Sequence, residues 1–395
     1  MNESTDDEST PTVSFRTRAI HIGNEIDPQT GAVVPPVHFA STFRQPGAGQ
    51  WGEFDYSRSG NPTRSRLQET LASLEGGVGA LAFSSGMAAI HCVTMMLRSG
   101  DHVVAGCDLY GGAYRLLHKI CDRSGIAVTL VDMTDADAVR ASCRDETRLI
   151  WAETIGNPRL TIPDLRAIAA IGKSVEARTG VDNTFGTPAL VRPLEWGIDI
   201  VMHSATKYLG GHSDCLGGTL AVADQGLLDE LYFIQNATGA VLDPMSSFLV
   251  ARGLKTLDLR VREQSRTALR LASWLEEQPN VASVLYPGLD SHPQHALASK
   301  TLSGGHGAMV TFELDAGIKP TADVCGATHL FHLAVSLGAV ESLIEQPATM
   351  SHASYDATDR ARFGISDGLI RLSVGLESFD DLRDDLAQAF RRVLG

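Results

Sequence analysis

From about residue 66 onward, short apolar runs alternate with amphipathic helical segments, and this alternation constrains the fold more than any other feature. Runs typical of buried strands are GALAFSS, DHVVAG, RLIWAET, GVDNTF and DIVMHS. Helical patterns lie between several of them, such as GMAAIHCVTMML and DLRAIAAIGKSVEAR. Strands that alternate with helices are joined by crossover connections, which predict a mostly parallel sheet. In such α/β sheets, ligands bind at the carboxyl ends of the strands.

The pattern changes beyond about residue 250, where a long helical stretch is followed by HGAMVTFEL, LIRLSVGLE and a closing amphipathic helix. A chain of 395 residues is too long for one hydrophobic core. We therefore predict a smaller α+β domain after the α/β domain. The predicted segments are a disordered tail (1–12), an N-terminal arm (13–65), a large domain (66–252) and a C-terminal domain (253–395).

The charge balance of the chain narrows the classes of partner. Its 47 acidic and 33 basic residues give a formal net charge of −14, which disfavours nucleic acid and anionic membrane as partners. No apolar run approaches the roughly 20 residues that cross a bilayer. The first residues, MNESTDDESTPT, resemble neither a secretory signal nor a transit peptide, so we expect a cytoplasmic protein.

The six cysteines lie far apart and form no CxxC pair, which predicts reduced and mostly buried thiols. A zinc site can be drawn from Cys215, His203 and His212, but their spacing fits no known ligand pattern. We therefore predict no metal.

The segment SSGMAAIH follows a predicted strand and begins a helix. The N–H groups of Gly86 and Met87 would then point outward at the positive end of the helix dipole, where phosphate binds. A serine that only caps the helix explains the same residues. The chain lacks GxGxxG and GxxxxGK[ST] motifs here, which disfavours dinucleotides and nucleoside triphosphates.

The segment SATK carries two hydroxyl groups and a lysine after the apolar run DIVM. Ser204 and Thr206 occupy alternate positions, which face the same way in an extended segment and suit one anion. Lys207 is either a solvated lysine at a strand end or an amine whose lowered pKa lets it form a Schiff base.

Two other segments suit a flat, electron-accepting ring. Asp182 follows a buried apolar pair in VDNTF, and a buried carboxylate is costly without a positive partner. A salt bridge within the protein and a protonated pyridine nitrogen both meet that need. Tyr110, in DLYGGAYR, offers an aromatic face before two glycines, although a tyrosine before such a turn is common.

Arginines in two further segments suit anions. Tyr56 and Arg58 lie on one side of the segment FDYSRSGNPTR, which is either an anion site or a solvated turn. Arg371 lies inside the apolar strand pattern LIRLSVGLE, where an unpaired guanidinium is costly. It therefore meets a carboxylate, either of the protein or of a substrate.

Together these segments resemble the Cys/Met-metabolism family of pyridoxal 5′-phosphate enzymes, which includes cystathionine γ-lyases, cystathionine γ-synthases and methionine γ-lyases. The likeness runs from about residue 15 to the C-terminus. The matching motifs, in the family's order, are YSRSGNPTR, SSGMAA, VDNTF, DIVMHSATKYLGGHSD, YPGL, SLGAVESLIEQPATMSHASY and IRLSVGLE. The resemblance implies pyridoxal phosphate as cofactor, the aspartate-aminotransferase-like fold (fold type I), and a homotetramer built as a dimer of dimers.

The resemblance also implies roles around the cofactor. Lys207 matches the Schiff-base lysine, Asp182 the partner of the pyridine nitrogen, and Tyr110 the tyrosine that stacks on the ring. Asn157 matches the contact to the cofactor's 3′-oxygen. The residues that match phosphate ligands are Ser204, Thr206, the amides of Gly86 and Met87, and, reaching a neighbouring subunit's cofactor from the arm, Tyr56 and Arg58.

On the substrate side, Arg371 matches the clamp for the α-carboxylate, and Ser336 matches a serine that helps to position the lysine. The implied chemistry is γ-elimination or γ-replacement on a homoserine-type amino acid. Lys207 would remove the Cα proton and later a Cβ proton on one face, and Tyr110 would act as acid or base if nearby positive charge lowers its pKa.

Several positions bear on the choice among relatives. Gly112 stands where methionine γ-lyases carry a cysteine, and Gln235-Asn236 stand where they carry a Lys-Asp pair. Asp55 and Arg115 match an acid and an arginine that face the distal end of cystathionine, but Val335 replaces the glutamate usual in those enzymes.

We therefore expect a cystathionine γ-lyase that forms L-cysteine, 2-oxobutanoate and ammonia, with cystathionine γ-synthase and then methionine γ-lyase as alternatives. A non-catalytic protein that keeps the fold for binding is a further alternative. The presence of every matching catalytic residue weighs against it, and bound yellow cofactor would distinguish the two.

Overall fold

A computed structural model describes residues 13–353, 355, 358, 360 and 363–395, so the predicted tail at residues 1–12 lies outside the described residues. Two β-sheets dominate this part of the chain. None of the helices described within it is long and apolar enough to cross a membrane.

A seven-stranded sheet is formed by strands between residues 79 and 222. Its strands are β1 (Gly79–Phe83), β2 (His102–Gly106), β3 (Ala127–Val131), β4 (Thr147–Glu153), β5 (Arg178–Asp182), β6 (Ile200–Ser204) and β7 (Gly218–Val222). Their spatial order is β1-β7-β6-β5-β4-β2-β3. The pairings among β2 to β6 are parallel, whereas β7 pairs antiparallel with both β6 and β1. The predicted mostly parallel sheet is thus confirmed.

Helices pack around this sheet and lead into the C-terminal part. The first group is α1 (Phe15–His21), α2 (Pro62–Glu75), α3 (Gly86–Thr94), α4 (Gly111–Arg115), α5 (Ala136–Ser142), α6 (Leu165–Ser174) and α7 (Thr187–Leu190). The second group is α8 (Gln225–Thr238), α9 (Pro244–Leu254), α10 (Leu257–Glu276), α11 (His295–Thr301), α12 (Ile318–Ala327) and α13 (Phe379–Val393). A π-helix, Leu116–Cys121, follows α4, and short 3-10 turns lie at Asp122–Ser124 and Pro193–Trp196.

Helix α2 begins near the end of the predicted arm and packs against β1. The Asn61 side chain accepts hydrogen bonds from the N–H groups of Thr63 and Arg64, and Pro62 occupies the first helical position. Gly76 ends the helix with φ of 75°, a conformation in which glycine is favoured. The predicted boundary at residue 252 falls inside α9, and the division of the chain into domains stays a prediction.

A five-stranded sheet lies in the C-terminal part. Its strands are β8 (Val281–Leu285), β9 (Met309–Leu314), β10 (His332–Leu333), β11 (Leu343–Glu345) and β12 (Leu369–Ser373). Their order is β10-β11-β12-β9-β8. The register of β11 against β12 places Glu345 opposite Arg371, which matters for the site.

Candidate active site

A cavity of about 390 Å³ lies at the carboxyl ends of β4, β5 and β6, where residues of the C-terminal part close one side. Its position follows the rule for parallel α/β sheets. The residues singled out from the sequence that line it are Gly86, Met87, Tyr110, Arg115, Asn157, Asp182, Ser204, Thr206, Lys207, Val335, Ser336 and Arg371. Residues separated by nearly 300 positions in the chain are thus brought together.

Lys207 follows β6 and points into this cavity. Its Nζ donates a hydrogen bond to Ser336 Oγ at 2.6 Å. Burial, together with the positive charge of Arg371, lowers the pKa of Lys207 to about 8, while Glu345 and Asp182 act in the opposite direction. An amine with this pKa is a much better nucleophile and base near neutral pH than an exposed lysine.

The N-terminus of α3 forms the second part of the cavity wall. Ser85 caps the helix by accepting a hydrogen bond from the Ala88 N–H at 3.1 Å. The N–H groups of Gly86 and Met87 precede the first intrahelical bonds and stay available to an anion. A Cβ added at Gly86 would lie 2.9 Å from Met202 Cε, so this position has no room for a side chain.

The local reasoning that placed Ser204 and Thr206 on one face of a strand was wrong in one respect. Strand β6 ends at Ser204, and Thr206 lies in the turn that follows. Thr206 Oγ1 accepts a hydrogen bond from the Gly217 N–H at 3.1 Å, which draws the turn against the segment before β7. Ser204 and Thr206 nevertheless both line the cavity.

Asp182 ends β5, and Glu153 lies beside it at the end of β4. Asp182 accepts a hydrogen bond from the Thr184 N–H at 2.9 Å and forms no ion pair within the described part of the chain. The internal salt bridge considered from the sequence is therefore not found there. Burial raises the pKa of Asp182, so this carboxylate would gain from a positively charged ligand.

Glu153 is a cavity residue that the sequence did not single out. Burial, and next the negative charge of Asp182, raise its pKa well above the usual range. Its Oε1 accepts the Tyr110 N–H at 2.6 Å and so fixes the start of α4. Its place directly after the apolar run LIWA was the only sequence signal for it.

The Tyr110 side chain is 43% exposed and stands at the mouth of the cavity. Gly112 lies against it, because a Cβ added there would be 2.4 Å from the Tyr110 ring and 2.8 Å from Met87 Sδ. A larger residue at position 112 would therefore require this ring to move.

Arg371 is 3% exposed and lies at the closed end of the cavity. It pairs with Glu345 at 3.0 Å, so its carboxylate partner in the structure comes from the protein. It also donates to Asn157 Oδ1 at 2.9 Å and to the Ser336 carbonyl oxygen at 3.0 Å. The sequence did not single out Glu345, because its role depends on the pairing of β11 with β12.

Three of the predicted residues do not line the cavity of their own chain: Asp55, Tyr56 and Arg58. Asp55 accepts the Tyr56 N–H at 2.6 Å. Arg58 donates to the Asn236 side chain at 2.9 Å, and Tyr56 is exposed.

The residues considered for zinc do not gather at one point. The buried His203 ring hydrogen-bonds to the buried Glu75, whereas His212 bonds to a backbone oxygen. Across the described residues, no cluster of histidine, cysteine and acidic groups could hold a metal ion. All six cysteines carry free thiols.

One cavity of this fold holds a helix N-terminus with free N–H groups, a lysine of lowered pKa and a carboxylate without an ion pair among the described residues, as is typical of a fold type I pyridoxal-phosphate enzyme. Residues 16–391 match the family described as Cys/Met metabolism PLP-dependent enzyme. The chain belongs to this family, and trans-sulfuration is the chemistry its relatives' names describe.

Similar proteins include a cystathionine beta-lyase of Lactococcus lactis, 48% identical over 96% of this chain and 99% of that protein. A cystathionine gamma-synthase of Mycobacterium tuberculosis is 50% identical over 94% of this chain and 96% of its own length. The crystal structure of cystathionine gamma-lyase from Lactobacillus plantarum complexed with L-serine matches with a TM-score of 0.94 and 41% identity, over 97% of this chain and all of that one. These three relatives carry three different activities.

The residues present fit pyridoxal phosphate. The cavity offers N–H groups and hydroxyls for a phosphate, a lysine whose lowered pKa of about 8 suits attack on an aldehyde, and the Asp182 carboxylate, which forms no ion pair among the described residues.

Proposed function

We propose that the protein cleaves L-cystathionine by γ-elimination, with water, to L-cysteine, 2-oxobutanoate and ammonia. The observation that carries the proposal is the position of Lys207 between two anion sites of one cavity, 2.6 Å from Ser336. One anion site suits the cofactor phosphate and the other suits an amino-acid carboxylate.

Pyridoxal phosphate, when bound, supplies an electron sink that stabilises negative charge on the substrate. Gly86, Met87, Ser204 and Thr206 would hold its phosphate. Asp182 would accept a hydrogen bond from the protonated nitrogen of its ring, which offsets the cost of burying this carboxylate.

Arg371 would hold the substrate α-carboxylate at the closed end of the cavity, while the Asn157 and Ser336 contacts keep its guanidinium in place. Lys207 would then take the proton from Cα and, once it has released that proton and is neutral again, take a proton from Cβ on the same face. Its lowered pKa makes the neutral amine available for both transfers. Tyr110, at the mouth, would donate a proton toward the departing sulfur.

The shape of the cavity favours a substrate with two polar ends. Arg371 is buried, whereas Val335, which also lines the cavity, is 59% exposed at its mouth. Arg115 lines the cavity as well and suits the distal carboxylate of cystathionine. Two of the relatives named above are lyases that act on cystathionine, which supports cleavage over synthesis.

Cystathionine γ-synthase activity is the second candidate. The 50% identical relative carries that name, and Val335 provides no charge for the distal amino group of cystathionine. In that reaction cysteine would replace the acyl group of an O-acylhomoserine, and the residues that bind carboxylate and move protons would be the same.

Product analysis distinguishes these reactions. Purified enzyme is incubated with cystathionine, and separately with O-succinyl- or O-acetylhomoserine plus cysteine. The proposal predicts 2-oxobutanoate as the main product from cystathionine. Pyruvate would indicate β-elimination instead, and rapid formation of cystathionine with negligible 2-oxobutanoate would favour the synthase.

We also propose that the active unit is at least a dimer and that the arm completes a neighbouring site. Tyr56 and Arg58 match residues that act across a subunit interface, and neither lines the cavity of its own chain. The arm exposes Val33, Phe39 and Trp51, large apolar side chains that a second copy would cover.

Mixed subunits test this arrangement. Lys207→Ala and Arg58→Ala proteins are each expected to have little activity, but unfolding and refolding them together would create hybrid sites in which both residues are intact. With random pairing, half of the dimers are mixed and one of the two sites in each mixed dimer is intact. About a quarter of the wild-type activity of the whole sample should therefore return. No recovery in refolded mixtures would place Arg58 in its own subunit's site.

A further inference from the structure

Glu345 is a buried carboxylate beside Arg371, and no role was assigned to it from the sequence. It is 1% exposed, and its Oε1 lies 3.0 Å from Arg371 Nη2. The Ser351 hydroxyl donates to the same oxygen at 2.6 Å. The other oxygen, Oε2, has no hydrogen-bond partner among the described residues. Glu345 therefore presents a fixed negative charge directly behind Arg371.

The contacts of Arg371 show how the Glu345 charge acts on its guanidinium. Nη1 donates to Asn157 and Nη2 to the Ser336 carbonyl oxygen as well as to Glu345. The guanidinium is thus held in place before any ligand arrives, and its charge is already compensated. A substrate carboxylate has to share Arg371 with an anion that burial leaves poorly screened.

We propose that Glu345 is a positioning residue that fixes the Arg371 guanidinium and weakens its hold on carboxylates. The proposal rests on the role of Arg371 as carboxylate clamp under the proposed function. It predicts that the clamp without Glu345 binds carboxylate more tightly but orients it less well. A residue that served packing alone would have no such effect on affinity.

The charge of Glu345 also reaches Lys207. Burial and Arg371 lower the pKa of Lys207, whereas Glu345 and Asp182 raise it. Removal of the Glu345 charge should therefore move the pKa of Lys207 further down. Loss of a nearby negative charge can only lower the pKa of Lys207. A fall in this pKa would therefore indicate an electrostatic role of Glu345, as distinct from a role in packing.

The test uses Glu345→Gln, which keeps size and an acceptor oxygen but removes the charge. Calorimetric titration of the holoenzyme with propionate, a simple monocarboxylate, is expected to give a Kd roughly three- to tenfold lower than wild type, a size typical of one close charge pair. KM for the amino-acid substrate should fall, and kcat should fall with it. Unchanged or weaker propionate binding would overturn the inference.

Two further variants keep the outcomes distinct. Glu313→Gln makes the same chemical change in β9 of the same sheet, outside the cavity lining, and should leave the propionate Kd unchanged. Arg371→Ala should abolish propionate binding. If binding survives in Arg371→Ala, the proposed clamp is wrong; if it is lost there while Glu345→Gln behaves as wild type, only the role of Glu345 is wrong.

Ser351→Ala covers the case in which Glu345→Gln does not fold. It removes one hydrogen bond to Glu345 but keeps the ion pair with Arg371. Looser attachment of Glu345 should lower the propionate Kd by less than about threefold. A Kd that rises in Ser351→Ala would contradict the inference as well.

Discussion

The two walls of the cavity are built in different ways. On the large-domain wall, Ser85, Asp182 and Thr206 are held by hydrogen bonds to backbone groups within about eleven residues of each. On the C-terminal wall, Arg371 depends on partners 26 and 214 residues away, Glu345 and Asn157. The first wall depends on local contacts at strand ends, whereas the second depends on the pairing of β11 with β12 and on the approach of Asn157, which follows β4.

Lys207 lies between the two walls, and its substitution is expected to lower activity more than any other change. Lys207→Ala removes the amine that would attach the cofactor and move protons, so kcat/KM should fall by about 10⁴-fold or more. Deuterium exchange at Cα of the substrate, followed by NMR in D2O, measures the proton transfer directly. An intact exchange signal in this variant would remove Lys207 from the mechanism.

The pH dependence of cofactor attachment tests how strongly the two walls act on Lys207. Only the neutral amine attacks an aldehyde, and the pKa of Lys207 is about 8. After removal of the cofactor, the attachment rate should rise about tenfold per pH unit up to pH 8, or about 100-fold from pH 6, and then level off. A rate that keeps rising through pH 10 would mean that Lys207 has the pKa of an ordinary lysine.

On the large-domain wall, Glu153 offers a smaller test. Glu153→Ala removes the acceptor for the Tyr110 N–H and should lower kcat/KM about tenfold, the typical value of one such hydrogen bond. Glu153→Gln keeps an acceptor oxygen for the Tyr110 N–H and should stay within about threefold of wild type. Equal losses in both variants would show that the ionised carboxylate matters instead.

On the C-terminal wall, Ser336 combines a hydrogen bond to Lys207 with a φ of 106°, which side chains rarely adopt. Ser336→Ala and Ser336→Gly both lose the hydroxyl and should both lower kcat about threefold. Glycine tolerates this backbone conformation, so the glycine variant should be more stable than the alanine variant by about 1 kcal/mol. Urea denaturation of both measures the difference, and equal stabilities would show that the backbone there is relaxed.

The same contrast explains what could be predicted from the sequence. The parallel sheet and the anion-suited strand ends followed from local patterns, because Asp182 and Lys207 sit where apolar runs end. Arg371 could be flagged as needing a carboxylate, but its partner could not be named. Glu345 and Arg371 pair through strand register, and a register is set by the whole sheet rather than by either segment.

Glu153 was missed for a related reason. Its importance comes from the neighbouring strand, where Asp182 lies, and from the Tyr110 backbone that it fixes. Thr206 lines the cavity from the turn rather than from the strand, which ends two residues before it. Local periodicity identifies strand ends, but it does not describe the turns that follow them.

The central claim is that both walls converge on Lys207 as the residue that carries pyridoxal phosphate. Borohydride reduction of the holoenzyme, followed by proteolysis and mass spectrometry of the peptides, tests this claim most directly. The account predicts one phosphopyridoxyl group per chain, attached to Lys207 in the segment HSATKYLGGHSD. Label on another lysine, or unlabelled protein from a preparation saturated with the cofactor, would contradict it.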